Sequence, residues 1–306
     1  MPEPARQQRD PIRPLLGAAT CAFFYWFAVQ LIVPAGRFLG GEIIAITVPP
    51  LVAAAVASAL AMAIFESRGL GDLGLTWEAG TGRNLLTGLG LGAGAAALVI
   101  LLPAALGLAH YEWLPNSEFS WRAALFLPLL LFCGAMGEEI LFRGFVLQYL
   151  VRGYTRSLRG YGPWIAIIAV GAIFGLLHGS NPGATPLGIV NTVLFGILFG
   201  AALLRTHDLW LPIGLHFGWN AMFPFLGVEL SGLTIRVTGY KLVWKAGNLW
   251  SGGEYGPEAS VLCSAALVIL ALAVWKVPVH RGRAYLLDQD EEDGQRGGEP
   301  LESPAR

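Results

Sequence analysis

Glu138 and Glu139 stand side by side inside an apolar run, LFLPLLLFCGAMGEEILFRGFVLQYL. Carboxylates are costly at membrane depth, so acids placed there usually mark a functional site. Two further apolar runs each contribute a histidine, His178 and His216, and the second adds Asn220 four residues later. A carboxylate that can take a proton from water, two imidazoles and a carboxamide are the parts of a hydrolytic centre.

Spacing separates the two acids. Neighbours on a helix diverge by about 100°, so Glu138 and Glu139 face different partners. Glu139 and Arg143 are four residues apart with the acid first, the favourable order for an ion pair. That pairing leaves Glu138 free to act as a base. The alternative is that both acids pair structurally, which leaves one buried glutamate without a cation. Phe174 and His178 share a helix face at the same spacing, as do His216 and Asn220. Either histidine alone reads as a packed core residue. Counted along their helices at ~1.5 Å per residue, however, Glu138, His178, His216 and Asn220 fall within one layer about 10 Å thick.

Other mechanisms lack their parts. No HExxH motif is present, which excludes the metalloprotease signature. The aspartates lie outside the interiors of the apolar runs, and Ser180 lacks a GxSxG context. Zinc held by Glu138, His178 and His216 remains an alternative, because three protein ligands plus water make a catalytic site. Cys21, Cys133 and Cys263 sit in separate apolar runs and suggest neither disulfides nor a metal cluster. The GLGLGAG stretch from Gly88 to Gly94 lies in an apolar helix with no preceding strand, so close packing explains it better than a phosphate loop. Gly171/Gly175, Gly196/Gly200 and Gly214/Gly218 read as packing pairs in the same way.

The elements that must position these residues are membrane spans. Of the 306 residues 55% are hydrophobic and 13% charged, and mean hydropathy is +0.58. A soluble domain carries about 25% charged residues. Eight apolar runs, near 15–35, 43–65, 84–108, 122–150, 163–180, 186–204, 208–227 and 258–277, predict an all-α polytopic protein of about eight transmembrane helices. The first reads as a retained anchor. Arg6, Arg9, Arg13, Arg68, Arg83, Arg152, Arg156, Arg159, Arg205, Lys276, Arg281 and Arg283 flank one set of run ends; Arg37, Arg122, Arg236, Lys241 and Lys245 flank the other. By the positive-inside rule both termini are cytoplasmic. A prokaryotic plasma membrane is the expected location and the lipid bilayer the expected environment. No basic patch interleaved with aromatics suggests nucleic acid.

The organisation follows: N-terminal spans over residues 1–119, a core of four spans over 120–227, an extracytoplasmic loop over 228–257, a last span over 258–283 and a disordered acidic tail over 284–306. Within the loop, LTIRVTGYKLVW alternates as a hairpin would. His110, His207 and His280 fall at span ends.

These motifs resemble those of the CAAX-protease and bacteriocin-processing (CPBP) family of intramembrane glutamic endopeptidases. The signatures occur in order: EExxxR as Glu138 to Arg143, FxxxH as Phe174 to His178, and HxxxN as His216 to Asn220. The resemblance spans roughly residues 120–227, and WSGGEYGPE near 250–258 also looks like bacterial members. It implies eight helices around a cavity reached from the cytoplasm and the bilayer, with no resident cofactor. There Glu138 activates water assisted by His178, His216 and Asn220 stabilise the oxyanion, and Glu139, Arg143 and Phe174 support them. The implied substrate is a membrane-associated, lipidated or C-terminal peptide. The rival classes are a non-catalytic scaffold or immunity protein and a proton-coupled transporter; no internal repeat supports the latter.

Overall fold

The computed structural model describes residues 12–115, 119–155 and 160–288. Its helices are α1 (Ile12–Ala45), α2 (Val48–Glu66), α3 (Thr81–Ala105), α4 (Trp121–Glu139), α5 (Leu147–Tyr154), α6 (Gly162–Leu177), α7 (Pro186–Thr206), α8 (Trp210–Phe225), a single turn α9 (Asn248–Ser251) and α10 (Val261–Lys276). A π-helical segment, Ile140–Val146, joins α4 to α5. Starts are written in the local sequence: Ser120, Thr185 and Ser260 accept backbone N–H groups at the heads of α4, α7 and α10.

Each of the eight apolar runs holds a helix, and the chain is a predominantly helical integral membrane protein. Six helices are long and apolar enough to cross a bilayer, the α4–α5 unit counting as one from Trp121 to Tyr154. α8 and α10 have 16 residues each. At ~1.5 Å per residue that is about 24 Å, short of a ~30 Å hydrocarbon core. The expected eight crossings are therefore supported for six.

The closest helix pair is α3 with α8. A Cβ on Gly92 would lie 2.1 Å from Leu215 O, and one on Gly218 would lie 2.3 Å from Leu89 O. The two backbones touch because neither carries a side chain there. The GLGLGAG stretch is thus a packing face.

The two ends of the bundle differ. One, the terminal face, gathers the start of α1, the α2–α3 connection, the end of α5, the α7–α8 turn and residues 277–288. Arg13 donates to Phe65 O and to the Tyr149 hydroxyl, Asn84 to Asp208 and His280 O, and Arg205 to Val277 O. The other, the loop face, carries a two-stranded antiparallel sheet, β1 (Ala109–Trp113) with β2 (Tyr240–Trp244).

Two local expectations change. The 233–244 stretch does not fold back on itself: its second half pairs with residues 109–113. There Trp113 and Tyr111 meet Tyr240 edge-on, aromatic cross-strand contacts that a local hairpin lacks. Residues 284–288, expected to open the disordered tail, end in a helical turn that buries Ala284, Leu286 and Leu287. The rest of the expected tail, 289–306, lies outside the described residues.

Candidate active site

The site sits on α4, α6 and α8 where two buried apolar clusters meet. One cluster contains Leu131, Phe199 and Trp219; the other contains Ile140, Phe145 and Ile213. Directly after Glu139 the α-helix widens into the π-helical segment, which includes Arg143 and Gly144, the latter with ψ of −107°. Such segments within α-helices frequently occur at functional sites.

Glu139 and Arg143 are completely buried and paired at 3.1 Å. Arg143 also donates to Gly196 O at 3.2 Å and lies 4.4 Å from the Phe174 ring centre. Glu139 Oε1 lies 2.9 Å from His216 Nδ1. A carboxylate only accepts, so Nδ1 is the donor and Nε2 is the nitrogen left for other chemistry. That Nε2 lies 3.8 Å from Glu138 Oε2. Phe199 stacks on the His216 ring at 5.2 Å, fixing its plane from the side.

Glu138 behaves differently from its neighbour. Its side chain is 37% accessible and faces a cavity of about 300 Å³. Its Oε2 has no hydrogen-bond partner among the described residues, which is also true of Glu139 Oε2, so the two acids differ in exposure and in the bonds that Glu139 Oε1 makes. His178, His216 and Asn220 line the same cavity, as does Phe174. His178 Nδ1 lies 2.8 Å from Phe174 O, one helical turn back. A carbonyl also only accepts, so Nδ1 donates and Nε2 of the neutral ring keeps its lone pair. The three sequence motifs thus converge on one cavity, with Glu139 and Arg143 packed behind it. Among the described residues no group of three or more His, Cys, Asp or Glu side chains is arranged to hold a metal ion.

No role is legible in the sequence for Glu258, which lies at the edge of the last apolar run. In the structure it is buried and lines the cavity. Its Oε1 accepts from Trp219 Nε1 at 2.9 Å, and its Oε2 accepts from the Ser231 hydroxyl at 2.8 Å and from the Ser231 backbone N–H. Its backbone carbonyl accepts from Asn191 at 2.8 Å. One carboxylate therefore ties α8, beside Asn220, to the 228–257 loop. An acid at the head of an apolar helix reads as a boundary residue; only the loop folding back over the helices reveals the second half of this contact.

A second, more apolar cavity of about 750 Å³ lies between α1, α4 and α6. Tyr25, Trp26 and Phe142 line it, and it reaches Glu138, His178 and Asn181.

Fold and site together define an integral membrane protein with a polar centre enclosed by helices. Residues 119–222 match the model of the family described as Type II CAAX prenyl endopeptidase Rce1-like, a protease family. The matched stretch holds every residue of the three motifs, and it bears out the resemblance read from them. A protein of Bacillus subtilis (strain 168), described as "Uncharacterized protein YyaK", is 27% identical over 163 residues, covering 52% of this chain and 50% of its own length. The chain thus spans about half the length of that relative. No solved structure matches.

Proposed function

We propose that the chain is an intramembrane endopeptidase in which Glu138 is the general base. The observation that carries this reading is the unequal fate of the two adjacent acids: Glu139 is consumed by Arg143 and His216, while Glu138 faces the cavity beside an imidazole nitrogen. A carboxylate with an unpartnered oxygen in a confined cavity is placed to take a proton from a water molecule.

The reaction we infer uses those groups as follows. Water bound between Glu138 and His178 Nε2 loses a proton to the carboxylate as its oxygen attacks the peptide carbonyl carbon. The carbonyl π electrons move to oxygen, and His216 Nε2–H and the Asn220 amide N–H donate to that oxyanion. Donors of this kind contribute about 3–4 kcal/mol each in a dry site. For His216 the role requires both ring nitrogens protonated, and Glu138 and Glu139 flank it with counter-charge. The oxyanion then collapses, the C–N bond breaks, and the proton on Glu138 goes to the leaving amine. No step needs a metal, and none is assigned.

The apolar cavity reaching Glu138 and His178 supports a membrane-associated substrate, whose apolar part lies between α1 and α6. The test compares membrane peptides from cells making the native chain with those from cells making Glu138→Gln. A set of peptide ends that depends on Glu138, with equal amounts of both proteins in the membrane, is the expected outcome. Identical peptide ends would remove the peptidase reading.

A further inference from the structure

The proposed reaction makes no use of WSGGEYGPE, residues 250–258, although its last residue lines the catalytic cavity. The end of this stretch is folded tightly against two other segments. Gly232 N–H donates to Tyr255 O at 2.8 Å. Gly256 turns at φ +97°, where a Cβ would lie 2.5 Å from Glu229 O. Gly232, at φ +82°, packs on the connection after α6, where a Cβ would lie 2.0 Å from Pro182 O. From that connection Asn181 donates to Ser231 O at 3.1 Å. Residues 181–183, 229–233 and 254–258 therefore form one junction. Asn181, Leu230, Ser231, Leu233 and Glu258 of this junction line the cavity.

Glu258 is the acid at the centre of the junction. An acid at the head of a helix ordinarily caps it, but Ser260 already does so for α10, its hydroxyl accepting from Cys263 N–H at 3.1 Å. The partners of the buried carboxylate are neutral donors, Trp219 N–H on one oxygen and Ser231 N–H and O–H on the other. An N–H group cannot accept, so both positions require an acceptor oxygen, which a carboxylate supplies and an amide does not. Ser231 is held at φ +48°, a left-handed conformation that residues with a Cβ adopt only where their surroundings impose it. Glu258 and Asn181 make the side-chain contacts that impose it here.

These contacts reach both halves of the catalytic centre. Trp219 precedes Asn220 and lies three residues after His216 on α8, so its bond to Glu258 bears on how that helix presents its oxyanion donors. Asn181 lies three residues after His178, at the end of α6. We infer that Glu258 is a positioning residue for peptide hydrolysis, holding the α8 donors in register with the His178 end of α6 by accepting from Trp219 and Ser231 at once. It exchanges no proton and touches no reacting atom. The inference rests on the peptidase reading and gives the WSGGEYGPE stretch a part in it.

A quenched fluorescent peptide copied from a Glu138-dependent end, cleaved by the full-length protein in detergent, tests this. Misplaced donors are felt in the transition state, so Glu258→Gln should lower kcat per folded molecule about tenfold with KM within about twofold. An acid that only stabilised the fold would lower the yield of monodisperse protein and leave kcat per folded molecule unchanged, which overturns the inference. Adding Trp219→Phe frees the amide oxygen for Ser231, so the double variant should lose at least about threefold less activity than the product of the two single losses. Losses that simply multiply also overturn it. Should Glu258→Gln not fold, Ser231→Ala carries the same test and should lower kcat about threefold, the loss of one hydrogen bond; an unchanged kcat there overturns the inference. Hydrogen exchange needs no substrate: amides of residues 178–184 and 228–235 should exchange faster in the variant that folds, with those of α3 unchanged. Unaltered exchange at 178–184 overturns the link between the two halves. If no peptide end depends on Glu138, the peptidase reading falls and the positioning role falls with it, whereas Glu138-dependent ends with a native kcat in the variants sink the positioning role alone.

Discussion

Replacing Glu139 by glutamine should unfold the protein more readily than replacing Glu138, although the two are neighbours of identical chemistry. Glu139 and Arg143 have no solvent contact. Removing the acid's charge leaves a buried guanidinium with Gly196 O and the Phe174 face as compensation. Breaking a buried pair from one side costs about 3–5 kcal/mol, because the remaining charge stays desolvated. For a chain of this size that corresponds to a fall in melting temperature on the order of 10 °C. Glu138→Gln removes a charge from a side chain that is 37% accessible and whose nearest charged contact is at 3.8 Å, so its melting temperature should stay within about 2 °C. Its peptidase activity should fall by roughly 10²–10⁴, the usual contribution of a general base.

Combining Glu139→Gln with Arg143→Met separates electrostatics from packing. The methionine fills most of the space and needs no counter-charge, and an apolar replacement of a buried pair is often close to neutral. Some cost remains, since the bond to Gly196 O and the stacking on Phe174 are lost, about 1 kcal/mol each. The double variant should therefore be at least ~2 kcal/mol more stable than the sum of the single changes. Thermal melts in detergent followed by tryptophan fluorescence, together with recovery of monodisperse protein, measure this. Additive effects within ~0.5 kcal/mol would show that the two groups do not support one another, and the explanation of why Glu138 is left free would fail.

The remaining expectations concern the supports of the site. Gly218→Ala places a methyl group 2.3 Å from Leu89 O, so α8 must shift; stability should drop by about 1–3 kcal/mol and activity by tenfold or more, whereas Gly90→Ala, with open space around it, should be silent in both assays. Glu258→Gln keeps an acceptor for Trp219 but turns a donor towards Ser231; limited proteolysis of the 228–257 loop should speed up, with activity reduced less than in Glu138→Gln. Incubation with EDTA or 1,10-phenanthroline should leave cleavage within twofold of the untreated protein, while a loss restored by zinc would favour a metal site on Glu138, His178 and His216.

What the sequence disclosed was local in character. Apolar runs of helical length and oxygen side chains at their heads mark elements a few residues long, and they gave the helices with little error. The i,i+4 pairs at 139/143, 174/178 and 216/220 are equally local, so spacing could nominate them as candidates. Non-local contacts stayed hidden. Nothing near His216 says that its Nδ1 meets Glu139, 77 residues away, rather than the oxyanion cavity. Likewise the residues around 240–244 do not reveal that their strand partner precedes α4. Glu258 is the instructive case. Its near neighbours suggest a solvated cap, and only the loop from Leu226 to Gly256 brings Ser231 and Trp219 onto its two oxygens. The same loop supplies Leu230, Ser231, Leu233 and Ile235 to the lining of the cavity. The motifs therefore name groups that could perform hydrolysis, while parts of the chain outside them determine how those groups are held and covered.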